Sequence, residues 1–284
     1  MKALIQHNFS SGLGDCIVAV YEYLETTKTL IKLGYSVELI LNLEKNVYLY
    51  NEHFFEIFNK EVFDIFEKIS ITKIPITLEN YNGLKKVYTL SNASAGLHWW
   101  DLYLSNPNEF VYDILSIYPY QENKTPNNIK IFNEKIYDDF FGRQKLLGLS
   151  SPYQSIYFRT MDRTDETKLY DKYIDIINEK IFFNEKIFIC SNSFLIKNKI
   201  KNINLNKVVT HEIPFEKEIG NHWLGSKPNI DKDILLNRTK LTIFDMLSLS
   251  NSTEILHITE WNRTSNFLIF SKINKVNIVS CYDY

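Results

Sequence analysis

Glycine is scarce in this chain, with 9 among 284 residues, and cysteine scarcer still at 3. Cys16, Cys190 and Cys281 sit in or beside apolar segments with no paired spacing. They read as buried free thiols of a reducing compartment rather than as a disulfide framework or a metal motif. No apolar run approaches the length of a membrane span. The first residues go straight into a strand-like segment instead of a signal peptide. The expectation is a cytoplasmic protein. Asn-x-Ser/Thr triplets such as Asn92-Ala-Ser and Asn237-Arg-Thr arise by chance in a chain this rich in asparagine, and imply no glycosylation. A formal net charge of −2 removes the general electrostatic basis for a nucleic-acid partner. There is no short-period repeat and no low-complexity linker.

What is present is an ordinary globular composition, 45% hydrophobic and 23% charged, on a chain long enough for two domains. The glycine shortage makes one joint conspicuous. In "NFSSGLGDCIVAVYEYL", Gly12 and Gly14 stand between a candidate strand (Lys2 to His7) and a candidate helix. Glycine serves where the backbone takes positive φ or approaches a ligand closely. Apolar residues at helical spacing run from Asp15 to Gly34, a helix-stop signal, and "YSVELIL" follows as a second strand. A strand, a glycine turn, a helix and a strand favour a parallel sheet with helices on its faces.

The segment from about Asn46 to Asn128 is aromatic and mixed. Its "NASAGLHWWDLYL" reads as either the wall of a cleft or an aromatic core cluster. The second half alternates clearly. "SIYFRT", "KIFICSNS", "VVTHEIP", "EILHIT" and "KVNIVS" read as strands. "KLYDKYIDIINEKI", "FLIKNKIKN", "LTIFDMLSLSN" and "NRTSNFLIFSKIN" read as helices, with a loop at "EKEIGNHWLGSKPN". That alternation is the mark of a doubly wound sheet. The expected class is α/β, with two Rossmann-like lobes at 1–142 and 143–284, a cleft between them and a seam near 143–152.

Three functional readings compete for "SSGLGD". A dinucleotide fingerprint needs a third glycine where Ile17 stands, and Glu44 is the only acidic residue near the end of the second strand. A P-loop needs Gly-Lys-Ser/Thr, which is absent. The third is a turn that brings substrate to the N-terminus of a helix, where free N–H groups favour negative charge. A tight turn with no ligand remains open beside these. The second half adds polar groups at separate strand ends, where an open α/β sheet places its ligand. Arg159 ends one strand and Arg163 lies just beyond, and arginine's planar fork suits phosphate oxygens. Ser191, Asn192 and Ser193 end another strand. Thr264, Ser265 and Asn266 open a helix, where hydroxyls and N–H groups suit phosphate. Taken singly, each is also a surface ion pair or a helix cap.

These residues resemble a family. "GLGDCIVAVYEYLETTKTLIKLGYSVELIL" resembles the opening of the nodulation-factor α1,6-fucosyltransferases. "YFRTMDR" is similar to their His-x-Arg-Arg/His motif, "FICSNSFLI" to their strand ending in Thr-Asp-Asp or Thr-Asp-Ser, and "TIFDMLSLSNSTEILHITEWNRTSNF" to their Asp-bearing helix followed by a Ser-Ser/Thr-Ser-x-Phe motif. The likeness touches about the first 42 residues and most of 153–284. It implies a GT-B-like fold, GDP-fucose as donor, a glycan hydroxyl as acceptor, inversion at the sugar carbon, and no metal or other cofactor. By the same resemblance Arg159 holds the donor diphosphate, Asp245 contacts guanine, and Ser265 with Asn266 binds phosphate. Tyr157 replaces the motif's histidine, Thr160 its second basic residue (Arg163 is the nearest substitute), and Asn192 stands where an acidic residue is common.

Deprotonating an acceptor hydroxyl needs a carboxylate or histidine. Asp15, after the glycine turn, is the first choice, with a plain helix-start carboxylate as its alternative reading; His98 and His222 come after it. A heptosyltransferase-like transferase and a catalytically inactive nucleotide- or sugar-binding module are the alternative functions.

Overall fold

The computed structural model describes residues 2–8, 12–42, 48, 53–73, 87–89, 111–115, 129–149, 152–158, 166–191, 193–212, 231–259 and 265–281. The chain forms two compact units, Met1–Asn133 with Gly225–Lys232, and Glu134–Leu224 with Asp233–Tyr284. The 142/143 boundary drawn from sequence falls inside a helix, Glu134–Leu146, which belongs whole to the second unit.

In the first unit, β1 (Lys2–Asn8) leads into α1 (Leu13–Lys32) and back to β2 (Ser36–Asn42). The short helix α2 (Phe54–Ile57) and a 3-10 turn (Lys60–Phe63) precede β3 (Lys68–Thr72), and β4 (Val87–Thr89) and β5 (Val111–Leu115) complete a sheet of order β3-β2-β1-β5-β4. Every pairing is parallel, with Leu4 opposite both Glu38 and Val111. Crossover helices cover such sheets, so α1 is buried along most of its length, from Leu13 to Leu30. An aromatic cluster of Phe54, Phe58, Phe63, Phe66 and Tyr23 packs with ring centroids 4.8–6.3 Å apart. An antiparallel bridge between Phe58 and Phe132 ties it down.

The second unit begins with α3 (Glu134–Leu146) and continues with β6 (Gln154–Phe158), α4 (Glu166–Phe183), β7 (Ile187–Ser191), α5 (Phe194–Ile203), β8 (Val208–Val209), α6 (Lys232–Ser250), β9 (Glu254–Ile258), a 3-10 turn (Asn266–Leu268), α7 (Ile269–Ile273) and β10 (Asn277–Ser280). Its parallel sheet has the order β10-β9-β6-β7-β8, so the winding reverses between β6 and β9. Side chains alternate between two buried faces. Ile156, Phe158, Ile187, Ile189, Leu256 and Ile258 pack with Tyr173, Ile177, Ile196 and Ile200 of α4 and α5. Tyr157, Phe188, Cys190 and Ile255 pack with Tyr153, Leu249 and Leu268 on the other. Burial on both faces explains why these strands read as nearly continuous apolar runs.

Three elements depart from the sequence expectation. The strand expected over "VVTHEIP" pairs, among its described residues 208–212, only at Val208–Val209. The helix expected from Leu241 starts at Lys232, because Leu235, Leu236, Arg238 and Thr239 are already buried and no polar stripe marks its start. Of the helix expected over 262–274, residues 262–264 lie outside the described residues, and the rest is a 3-10 turn capped by Ser265 and then the five-residue α7.

Three helix ends close through a left-handed residue. Gly34 (φ 85°) and Gly148 (φ 63°) do so without a Cβ penalty. After α7 the same hydrogen-bond pattern recurs, with Lys275 N–H donating to Lys272 O (3.1 Å) and Val276 N–H to Ser271 O (2.9 Å). Lys275 holds the turn at φ 56°, which costs an L-residue roughly 1 kcal/mol. Lys275→Gly is expected to stabilise the protein by about 0.5–1 kcal/mol, read as a higher urea midpoint with an unchanged m-value.

Candidate functional site

In open α/β sheets the ligand crevice lies outside the carboxyl ends of the strands, where the winding reverses. In the second sheet that point is the end of β6 and β9. Tyr157 of β6 lies between His257 of β9 and Phe267, with centroids 5.2 Å apart on each side and nearly parallel rings. Its hydroxyl is 3.5 Å from Ser265 Oγ. Ser265 accepts a hydrogen bond from the Phe267 N–H (3.2 Å), so its hydroxyl caps the 3-10 turn at this edge. Asn266 is half-buried beside it. Tyr157 is thus a stacked, buried ring.

At the end of β7, Ser191 is buried and its Oγ accepts from the Ser193 N–H (3.0 Å). Ser193 caps α5 by accepting from the Ile196 N–H (3.3 Å). Arg159, Arg163, Asn192 and Thr264 lie outside the described residues, as do the aromatic stretch 92–104, His98 and His222.

Asp245 is only 2% exposed, inside the buried run of α6. Its Oδ2 is 3.3 Å from Lys197 Nζ, and that ammonium also donates to the His211 carbonyl (3.1 Å). Its Oδ1 has no nitrogen or oxygen donor, and the Cys190 thiol is close enough to hydrogen-bond the carboxylate. Burial pushes the carboxyl up to about 6, against the pull of Lys197. The Cys190 thiol is pushed well up, chiefly by burial and secondly by the neighbouring Asp245 charge. His211 shares a hydrogen bond with Ser248 Oγ (3.0 Å) through Nε2. Burial, and then the charges of Arg143 and Lys197, lower it to about 3, so the imidazole is neutral at pH 7. Tyr153 extends the network, donating to Ser248 O (2.7 Å) and accepting from Gln144 (2.9 Å). Lys197 and His211 escape a reading of the sequence. Lys197 sits in a helix with two further lysines, Lys199 and Lys201, and only folding shows that it points inward with Ile196 and Ile200.

In the first unit the glycine joint lies beyond β1, where that sheet's winding also reverses, between β1 and β5. Gly12 is the N-cap of α1 at φ −61° and ψ 157°, extended backbone open to any residue, and Gly14 lies inside the helix. The expectation of positive φ at this joint is corrected. Asp15 is half-buried in the first helical turn, and a Cβ on Gly12 would stand 3.7 Å from its Oδ2. The carboxylate thus lies over the helix start, where it complements the dipole. Among the described residues, no group of three His, Cys, Asp or Glu side chains could hold a metal ion.

The two-sheet architecture is similar to solved structures. The α1,6-fucosyltransferase NodZ co-crystallized with GDP aligns with a TM-score of 0.57 at 10% identity, over 98% of this chain and 94% of that one. NodZ soaked with GDP-fucose gives 0.56 at 11% identity over the same shares. The structure of NodZ from Bradyrhizobium gives 0.55 at 11%, again over 98% and 94%. The fold is similar to that of these structures. No protein-family model and no curated protein matches the sequence.

Asp245 and His211 titrate with opposite consequences for stability. The Asp245 carboxyl is raised in the folded state, so its contribution is present below about pH 4 and is lost as pH rises towards about 6. His211 is lowered, so its contribution is present above its ordinary 6.5 and is lost as pH falls towards about 3. Asp245→Asn should therefore steepen the loss of melting temperature on acidification from pH 6 to 4. His211→Gln should flatten it. Parallel melting curves for the two variants across that range check the assignment.

Proposed function

We propose that the protein is a glycosyltransferase that moves fucose from GDP-fucose to a hydroxyl of a glycan acceptor, with inversion and without a metal. The observation that carries this reading is the likeness in fold, over 98% of the chain, to a fucosyltransferase co-crystallized with GDP. The donor is assigned to the second unit, 143–284 in the sequence reading, and the acceptor to the first, 1–142.

The chemistry follows from charge. Breaking the bond between sugar and diphosphate builds negative charge on the leaving phosphate, and groups that bind that charge more tightly in the transition state accelerate the step. Arg159 follows β6 directly in the chain, and its guanidinium supplies a paired, permanently charged contact. Ser265 and Asn266 add hydroxyl and N–H donors at the adjoining strand end, with Arg163, Ser191, Asn192 and Thr264 as further donor contacts. Asp245 takes the guanine edge through the oxygen that Lys197 leaves open. Since that oxygen is buried, the base reaches it only if side chains around α6 shift. Asp15 takes the acceptor's proton, with Gly12 and Gly14 keeping side chains away from the approach.

A thermal-shift panel of GDP, UDP, ADP and CMP tests the donor class. GDP alone should raise the melting temperature, and a shift with UDP alone would overturn the assignment. Arg159→Ala should weaken GDP binding more than about tenfold without lowering stability, as expected for a lost charge-assisted contact. Asp15→Asn should lower kcat about 100-fold with unchanged donor affinity, as expected for a general base. A fall in melting temperature with kcat retained would leave Asp15 a helix-start carboxylate, and the base would lie elsewhere.

A further inference from the structure

The opposite edge of the second sheet, where β6, β7 and β8 begin, carries a set of apolar side chains that the fold does not cover. Leu146, at the end of α3, is 88% exposed. Phe182 and Phe183, at the end of α4, are 74% and 75% exposed, and their rings meet edge to face at 5.2 Å. Leu205, in the turn between α5 and β8, is 65% exposed. These groups are neighbours. Lys207 donates to the Phe182 carbonyl (2.8 Å) and lies 5.9 Å from the Phe182 ring. Lys186 donates to the Leu147 carbonyl (3.5 Å). Single exposed leucines are ordinary, but two phenylalanines left bare beside two leucines form a patch of the kind that marks an interaction site.

The charge around the patch is net positive. Lys145, Lys186 and Lys207 flank it, and Lys275 stands in the turn before β10 at the same edge. Glu179 and Glu185 are the acidic residues among them, while Lys201 and Lys180 are neutralised by Glu212 and Glu254. The chain as a whole carries −2, so this edge is positive on a slightly acidic protein. Exposed aromatic and aliphatic groups set in a basic surround match the boundary of an anionic bilayer, where apolar side chains enter the acyl region and lysines meet the headgroups.

We propose that this edge docks the protein on an anionic lipid surface, with Phe182, Phe183, Leu146 and Leu205 inserting at the headgroup boundary. Because the donor edge lies at the other end of the same strands, docking leaves that edge facing away from the lipid.

Co-sedimentation of the full chain with extruded vesicles tests this, using phosphatidylcholine alone and an equimolar mixture with phosphatidylglycerol. Binding should be at least about tenfold tighter to the mixture and should weaken with added salt. Phe182→Ser with Phe183→Ser should lose most of the binding, and Lys145→Glu should weaken it by about fivefold or more. Circular dichroism and GDP binding should stay unchanged in both, since all three side chains are exposed. Failure to bind either vesicle overturns the proposal, as does equal binding by the serine variant. So does a concentration-dependent dimer in sedimentation equilibrium that Phe182→Ser with Phe183→Ser abolishes, which would assign the patch to a second copy of the chain. None of these outcomes bears on the donor class, which the nucleotide panel tests separately.

Discussion

Parallel strand pairing is the constraint from which the rest of this structure follows. A parallel pair cannot be joined by a tight turn, so each strand must be followed by a crossover that returns the chain to the same starting edge. Here α1, α4, α5 and α6 supply crossovers, and in the second sheet the side chains of both faces are buried. All carboxyl ends in a sheet then share one edge. Residues far apart in the chain, such as Tyr157, His257 and Ser265, are brought together there by topology before any side-chain interaction selects them. The same rule gathers the helix C-termini at the other edge, which is why Leu146, Phe182 and Leu205 are neighbours.

This constraint also decides what can be read from the sequence. Strands buried on two faces are short apolar runs, and "SIYF", "IFIC" and "EILHI" stand out from their polar flanks. Gly34 ends α1 where a stop signal was expected. The start of α6 has no such mark, because a helix buried on nearly all sides shows no amphipathic period. β8 fails for the opposite reason. "VVTHEIP" has strand-like composition, but only two of its described residues pair, and the chain then turns His211 into the interior. At the site, the Ser265 cap is legible because capping is local, a side chain reaching a backbone N–H two residues on. The Lys197–Asp245 pair is not, since it joins residues 48 positions apart and depends on α5 packing against α6. The glycine joint shows the converse error. Its residues suggested a backbone reason, and Gly12 adopts a conformation that needs no glycine.

The buried network around Asp245 trades solvation for order. Two cations, Lys197 and Arg143, act on one carboxylate and one neutral imidazole, and the Asp245 carboxyl is still raised to about 6. Desolvation is thus the larger force on Asp245, with coulombic attraction only partly offsetting it. What the network supplies is fixed geometry. Lys197 is tied at once to the His211 backbone and to α6, and His211 to Ser248, so the end of β8 is pinned to the helix that precedes β9.

The brevity of β8 has a separate consequence. It has two residues and lies at the rim of its sheet. A sheet rim displays unsatisfied N–H and C=O groups that can recruit strands from other molecules. At β8, pairing ends after Val209, and the following residues turn into the interior network instead of extending the ladder. A foreign strand would find a template of two residues there, too short to hold it. The protein therefore blocks runaway strand addition at this rim by ending the strand early, without placing a proline or a charge within it.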